Sequence, residues 1–76
     1  MNEKNEITEI AISGEFIRLD ALLKFASLTA SGGEAKLRIS DGEVRVNGAP
    51  CTQRGKKCHD GDLIELDGQA IRVKCS

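Results

Sequence analysis

At 76 residues the chain has room for one domain with one small core, and a domain of this size buries only about 60% of its unfolded surface. Its 30% charged and 39% hydrophobic residues exclude a disordered tail. No apolar run approaches the roughly 20 residues that a membrane helix needs, and the net charge of −1 gives, as a total, no reason to expect a nucleic-acid partner.

That total conceals a polarity. Residues 1–17 carry four Glu against Lys4, residues 18–58 carry eight Lys or Arg against four acids, and residues 59–76 carry four acids against Arg72 and Lys74. A middle of +4 thus lies between ends of −3 and −2, and binding responds to the local field. With two Phe and no Trp or Tyr, aliphatic side chains must fill the core. The cysteines (Cys51, Cys58 and Cys75) are odd in number and lack C-x-x-C spacing. They read as thiols of a reducing compartment. An acidic N-terminus is unlike a signal peptide. The expectation is a soluble, cytoplasmic protein without a membrane partner.

In chain order, residues 1–6 are polar and read as frayed. Thr8 to Ile12 reads as a short edge strand with Ile10 and Ile12 on one face, ended by Ser13-Gly14. From Ile17 to Leu28 the period changes, and Leu19, Leu22, Leu23 and Ala26 form the stripe of an amphipathic helix. Asp20 and Lys24 make a favourable i,i+4 pair on it. Ser31 is the N-cap expected for a second helix over Gly32 to Ser40, and Glu34 three positions later completes a capping box. Ala35 and Ile39 form its apolar edge, Leu37 is expected to be partly buried against a neighbour, and Asp41-Gly42 ends it. Val44 and Val46 alternate as in a strand, Asn47-Gly48 signals a tight turn, and Pro50 suits an edge. Cys51 to Gln53 reads as a weak strand before the basic loop Arg54-Gly55-Lys56-Lys57, which is expected to be mobile and exposed. Asp60-Gly61-Asp62 and Asp67-Gly68 turn the chain into two last strands, Leu63–Leu66 and Ala70–Lys74. Two short N-terminal helices on a small, mostly antiparallel sheet make an α+β domain.

The order of motifs resembles a known family. Arg18-Leu19-Asp20 opens a helix, a Ser-led second helix carries Ala35 and Ile39, Gly42-x-Val44-x-Val46-Asn47-Gly48 follows, and the basic loop precedes Gly61-Asp62. This resembles the RNA-binding domain named after the fourth protein of the small ribosomal subunit, the alpha-L motif, over about residues 16–66. Many members have Ser-Arg at the start of the second helix, where the Arg contributes to RNA contact; here Gly32 occupies that position. Gly32-Gly33-Glu34-Ala35-Lys36 together with Arg54-Gly55-Lys56-Lys57 is similar to the small stand-alone bacterial members of the YbcJ type. The resemblance implies one RNA-binding domain over residues 1–76, associated with ribosomes or ribosomal RNA.

The candidate RNA-binding residues are Lys24, Ser31, Gly32, Gly33, Lys36, Arg38, Arg54, Lys56 and Lys57. Each also has a bland reading. Ser31 is accounted for by capping, and Gly32 and Gly33 either open the helix N–H groups to a phosphate or permit a tight interhelix turn or close packing. The Lys and Arg residues are otherwise solvated surface. So few aromatics argue against a stacking platform and favour a structured RNA recognised by shape. Cys51, Cys58 and His59 lack a fourth zinc ligand at any usual spacing, so no metal or other cofactor is expected. His59, the single histidine, has no nucleophile partner by motif, which argues against an enzyme. The reading is a monomeric, non-catalytic protein that binds ribosomal RNA or a ribosome-assembly particle. The alternative is a protein-interaction adaptor that keeps the fold without binding RNA.

Overall fold

The structure, a computed structural model, describes residues 7–76; the frayed stretch expected at residues 1–6 lies outside the described residues. The elements run β1 (Ile7–Ile12), β2 (Phe16–Arg18), α1 (Leu19–Phe25), α2 (Gly32–Ser40), β3 (Arg45–Val46), β4 (Ala49–Pro50), β5 (Lys57–His59), β6 (Leu63–Leu66) and β7 (Gln69–Cys75). The class is α+β, as expected, but two strands precede the helices. A five-stranded sheet has the order β1-β7-β6-β3-β4, and β2 and β5 form a separate two-stranded ribbon. The main sheet is mixed. Antiparallel pairing joins β3, β4, β6 and β7, whereas β1 lies parallel to β7 in a six-residue register from Ile7↔Ala70 to Ile12↔Cys75. A parallel pair needs a crossover, and here everything between the first and last strands supplies it.

One aliphatic core joins the layers. Leu19, Leu22 and Leu23 from α1 and Ala35 and Ile39 from α2 pack with Val44, Val46, Ile64, Leu66, Ile71 and Val73 from the sheet side. Ile10 and Ile12 face the core and Ala11 faces out, as the alternation in β1 requires. Neither Phe belongs to this core.

Turn chemistry sets the boundaries. Asn47 and Gly48, and again Asp67 and Gly68, have positive φ at both central turn positions, the type I′ pattern whose twist matches a hairpin. These turns fix the pairs Val46↔Ala49 and Leu66↔Gln69, with Pro50 on the edge strand. Cys51 to Gln53 is not a strand: Cys51 N–H donates to the Val44 carbonyl at 2.9 Å, and the chain then turns so that Lys56 N–H reaches Gln53 O at 3.2 Å.

Both helix ends are closed by two backbone bonds that wrap around a left-handed residue. After α2, Gly42 and Glu43 donate to Ile39 and Arg38. After α1, Ser27 and Leu28 donate to Lys24 and Leu23, and Ser27 adopts a φ of 62°. The first helix therefore stops at Phe25 rather than reaching Leu28. At the start of α2, Ser31 Oγ accepts the Glu34 N–H at 3.2 Å. The Glu34 carboxylate returns to the N–H of Ala30, one residue before the cap, at 2.8 Å. Leu37 is 60% exposed, so its expected partial burial is not found.

Glycine is not imposed at the start of α2 by packing. A Cβ on Gly32 would meet nothing within 4 Å, and one on Gly33 only Ser31 Oγ at 3.9 Å. The interhelix turn takes its left-handed residue from Ser27 instead. Close packing and turn strain therefore do not account for these glycines.

Arg38 ties α2 to the β6–β7 turn. Its guanidinium reaches Glu43 Oε1 at 2.7 Å, Glu34 Oε2 at 3.6 Å and Asp67 Oδ1. Hydrogen bonds to Asp67 and then Glu43 push the Arg38 pKa further up, and the Arg38 bond holds the Asp67 carboxyl below the usual range. Folded Asp67 thus binds fewer protons than the unfolded chain, so its contribution is present above the unfolded value of about 3.9 and fades as pH falls below it. Arg38→Ala should lower Tm at neutral pH and show a smaller further loss than wild type on acidification to about pH 2.5, because the linkage at Asp67 is gone. Thermal melts across pH check this, and equal losses in both proteins would contradict it. In the same assay Gly33→Ala should hold or raise stability, by up to about 1 kcal/mol, since alanine loses less backbone freedom on folding. A clear drop in Tm would show that the glycine is needed for folding.

Candidate nucleic-acid interface

The first turn of α1 lacks a side-chain cap, because its N-cap residue is Arg18. Its orphan N–H groups find partners in the basic loop instead. Leu19 N–H donates to Lys56 O at 2.8 Å and Asp20 N–H to Arg54 O at 3.2 Å. The next N–H, of Ala21, donates to Asp20 Oδ1 at 2.8 Å. The loop expected to be mobile is therefore tied by its carbonyls to a buried helix start, with Leu19 fully buried. On the far side of the loop, β5 pairs with β2 in the register Phe16↔His59, Ile17↔Cys58 and Arg18↔Lys57. Cys58 is fully buried and acts as the anchor of that strand, while Lys57 and His59 on either side are exposed.

This geometry gathers Arg18, Arg54, Lys56 and Lys57 around one helix start. Arg54 and Lys57 are exposed and Lys56 is half-buried. Arg18 lies across the ribbon from Lys57, and Gly55 passes close enough that a Cβ there would sit 3.7 Å from the Arg18 guanidinium. Asp20, itself buried, balances part of the charge through a 3.1 Å contact with Arg18. Asp20 turns toward Arg18 rather than toward Lys24, the partner expected from helical spacing. Among the described residues, Arg54, Lys56 and Lys57 have no carboxylate partner within ion-pair distance.

The other candidates occupy the helix pair. Lys24 is exposed in the last turn of α1, roughly 8 Å along the axis from Leu19. Lys36 is exposed on α2. Arg38 is held among the three carboxylates described above, so its charge is largely spent within the fold. Ser31 is engaged in capping. The N–H groups of Gly32 and Gly33 have no partner among the described residues, and the Gly33 side of the helix start is open. Arg18, Phe16 and His59 were not among the sequence candidates for a binding role. Their common signal is a pairing between two three-residue strands some 40 positions apart, which neither segment announces alone.

Burial pushes the Cys58 thiol up to about 11, so it stays protonated at neutral pH. Cys51 and Cys75 are half-buried free thiols. Among the described residues no three His, Cys, Asp or Glu side chains are placed to hold a metal ion, and no helix is long and apolar enough to cross a membrane.

The family model described as the S4 domain matches residues 10–74. A Bacillus subtilis (strain 168) protein named "Probable ribosome maturation protein RlbA" is 44% identical over 59 residues, covering 78% of this chain and 83% of that protein. An Escherichia coli (strain K12) protein named "Putative RNA-binding protein YbcJ" is 33% identical over 57 residues, covering 75% and 81%. With a family match over residues 10–74 and relatives aligned over at least 75% of the chain, this chain belongs to the S4 domain family.

Proposed function

We propose that the protein is a non-catalytic, cytoplasmic RNA-binding protein, a single domain that engages structured ribosomal RNA or a ribosome-assembly particle. The observation that carries this reading is the gathering of Arg18, Arg54, Lys56 and Lys57 at the start of α1 by backbone bonds from a loop to a helix. Asp20 balances Arg18, but among the described residues Arg54, Lys56 and Lys57 have no carboxylate partner, so like charges gathered at one helix start repel one another. An anionic partner relieves that repulsion. The names of the relatives, one a probable ribosome maturation protein and one a putative RNA-binding protein, favour RNA as that partner.

In this reading Lys24 and Lys36, exposed on α1 and α2, join the RNA-binding surface, with the open N–H groups of Gly32 and Gly33 as a further phosphate contact. Ser31 shapes that end of α2 by capping. Arg38 stays in its carboxylate clamp and acts through the fold. Contacts of this kind set affinity and orientation and carry little sequence information. Shape then selects the RNA, as with other readers of paired RNA.

Binding of structured ribosomal RNA across a salt series tests the reading. Wild type should weaken steeply with salt, and Lys56→Glu combined with Lys57→Glu should lower affinity at least about tenfold and flatten the log–log salt slope by about 2. Equal binding by the two proteins removes the loop from the mechanism. If partners captured from cells persist after nuclease treatment, the adaptor reading takes its place.

A further inference from the structure

Both aromatic side chains of the molecule are at its surface. Phe16 is 40% and Phe25 60% exposed, in a chain with only two Phe and no Trp or Tyr. They line one shallow apolar pocket of about 340 Å³, together with Ala11, Ile12, Ser13 and Ile17. Exposed aromatics that converge on one concave site are a different observation from scattered surface hydrophobics, which need no explanation.

One wall of this pocket is continuous with the cationic surface. Phe16 faces His59 across the β2–β5 ribbon, with ring centroids 6.0 Å apart and planes tilted by 50°. Lys57 Nζ stands 4.8 Å from the Phe16 ring centroid, a cation–π contact. Arg18 is two residues along β2 on the same face, opposite Lys57. Among the described residues no carboxylate lines the pocket. An apolar, aromatic floor with cations at its edge matches one chemical object in particular: a flat heterocycle attached to a phosphate chain. The volume lies at the low end of the roughly 300–1,000 Å³ range of ligand clefts, which suits one base better than a docked helix.

We infer that this pocket receives a single unpaired nucleobase of the bound RNA, stacked on Phe16, while Arg18 and Lys57 hold the flanking phosphates. The inference rests on the RNA-binding reading above and deepens it. It also changes the preferred ligand. A fully paired RNA satisfies the cations alone, whereas paired RNA with one bulged base satisfies the cations and the pocket together. Stacking of this type tolerates any base, because every base offers a π face.

Two hairpin RNAs of identical length separate the contributions. One carries a single bulged adenine in its stem, and the other an abasic nucleotide at that position, so the phosphates are equal in number and only the base differs. Wild type should bind the adenine hairpin about tenfold more tightly than the abasic one. Phe16→Leu should bind both with the abasic affinity and an unchanged salt slope, since the cations remain; its exposed position means that folding is retained, which circular dichroism verifies. If wild type binds both hairpins equally and with strong salt dependence, the stacking site is overturned while the RNA-binding reading stands. If wild type binds neither, the RNA-binding reading itself falls. A concentration-dependent self-association in sedimentation that Phe16→Leu abolishes, with the adenine preference unaltered, would make the pocket an interface between copies and overturn the inference.

Discussion

Two hydrogen bonds hold this molecule's chemistry in place: Leu19 N–H to Lys56 O and Asp20 N–H to Arg54 O. A helix that begins on Arg-Leu-Asp has no side chain suited to its first orphan donors, and a buried donor left unpaired costs about 1–3 kcal/mol. The basic loop supplies the missing acceptors. In doing so it is tied to the start of a helix whose Leu19, Leu22 and Leu23 are fully buried. Its side chains are then committed to the opposite direction. Structural need and cationic display come from one short loop, with the Arg54 and Lys56 carbonyls turned toward the helix start and the loop's charges at the surface.

Charge in this domain is sorted by use. Three of the four acids in the C-terminal segment are employed as acceptors. Asp60 takes the Cys75 N–H and Asp62 the His59 N–H, each at 2.8 Å, and Asp67 takes Arg38. Burial works to raise the Asp62 carboxyl, but the His59 N–H and the Asn47 amide outweigh it and keep the group ionised. Arg38 is spent on three carboxylates. Lys56 and Lys57 are spent on none among the described residues, apart from the contact of Lys57 with Phe16. A net charge of −1 therefore understates how positive the exposed surface beside α1 is.

Legibility in the sequence followed the range of the interactions. The second helix was readable to the residue, because Ser31, Glu34 and Gly42 mark its ends through bonds made within a few positions. The Asn47-Gly48 and Asp67-Gly68 turns were readable for the same reason. The end of the first helix was not, since Ser27 takes the left-handed position that glycine usually marks. The parallel pairing of β1 with β7 was not readable either, being a contact between the two ends of the chain. At the candidate surface, the basic loop stood out by composition alone. Arg18 and Phe16 did not, since their roles arise from the pairing of β2 with β5. Two Phe in a small chain also read naturally as no platform at all, and only the fold reveals that both line one pocket.

The claim at the centre of this account is that the loop pinned to the start of α1 is the surface that meets RNA. An NMR titration of isotopically labelled protein with structured ribosomal RNA tests it most directly, residue by residue. The account predicts that amide shifts concentrate on Phe16 to Asp20 and Arg54 to His59, and that the clamp around Arg38, Glu43 and Asp67 stays quiet. Shifts centred on that clamp, with the loop and the start of α1 unmoved, would contradict it.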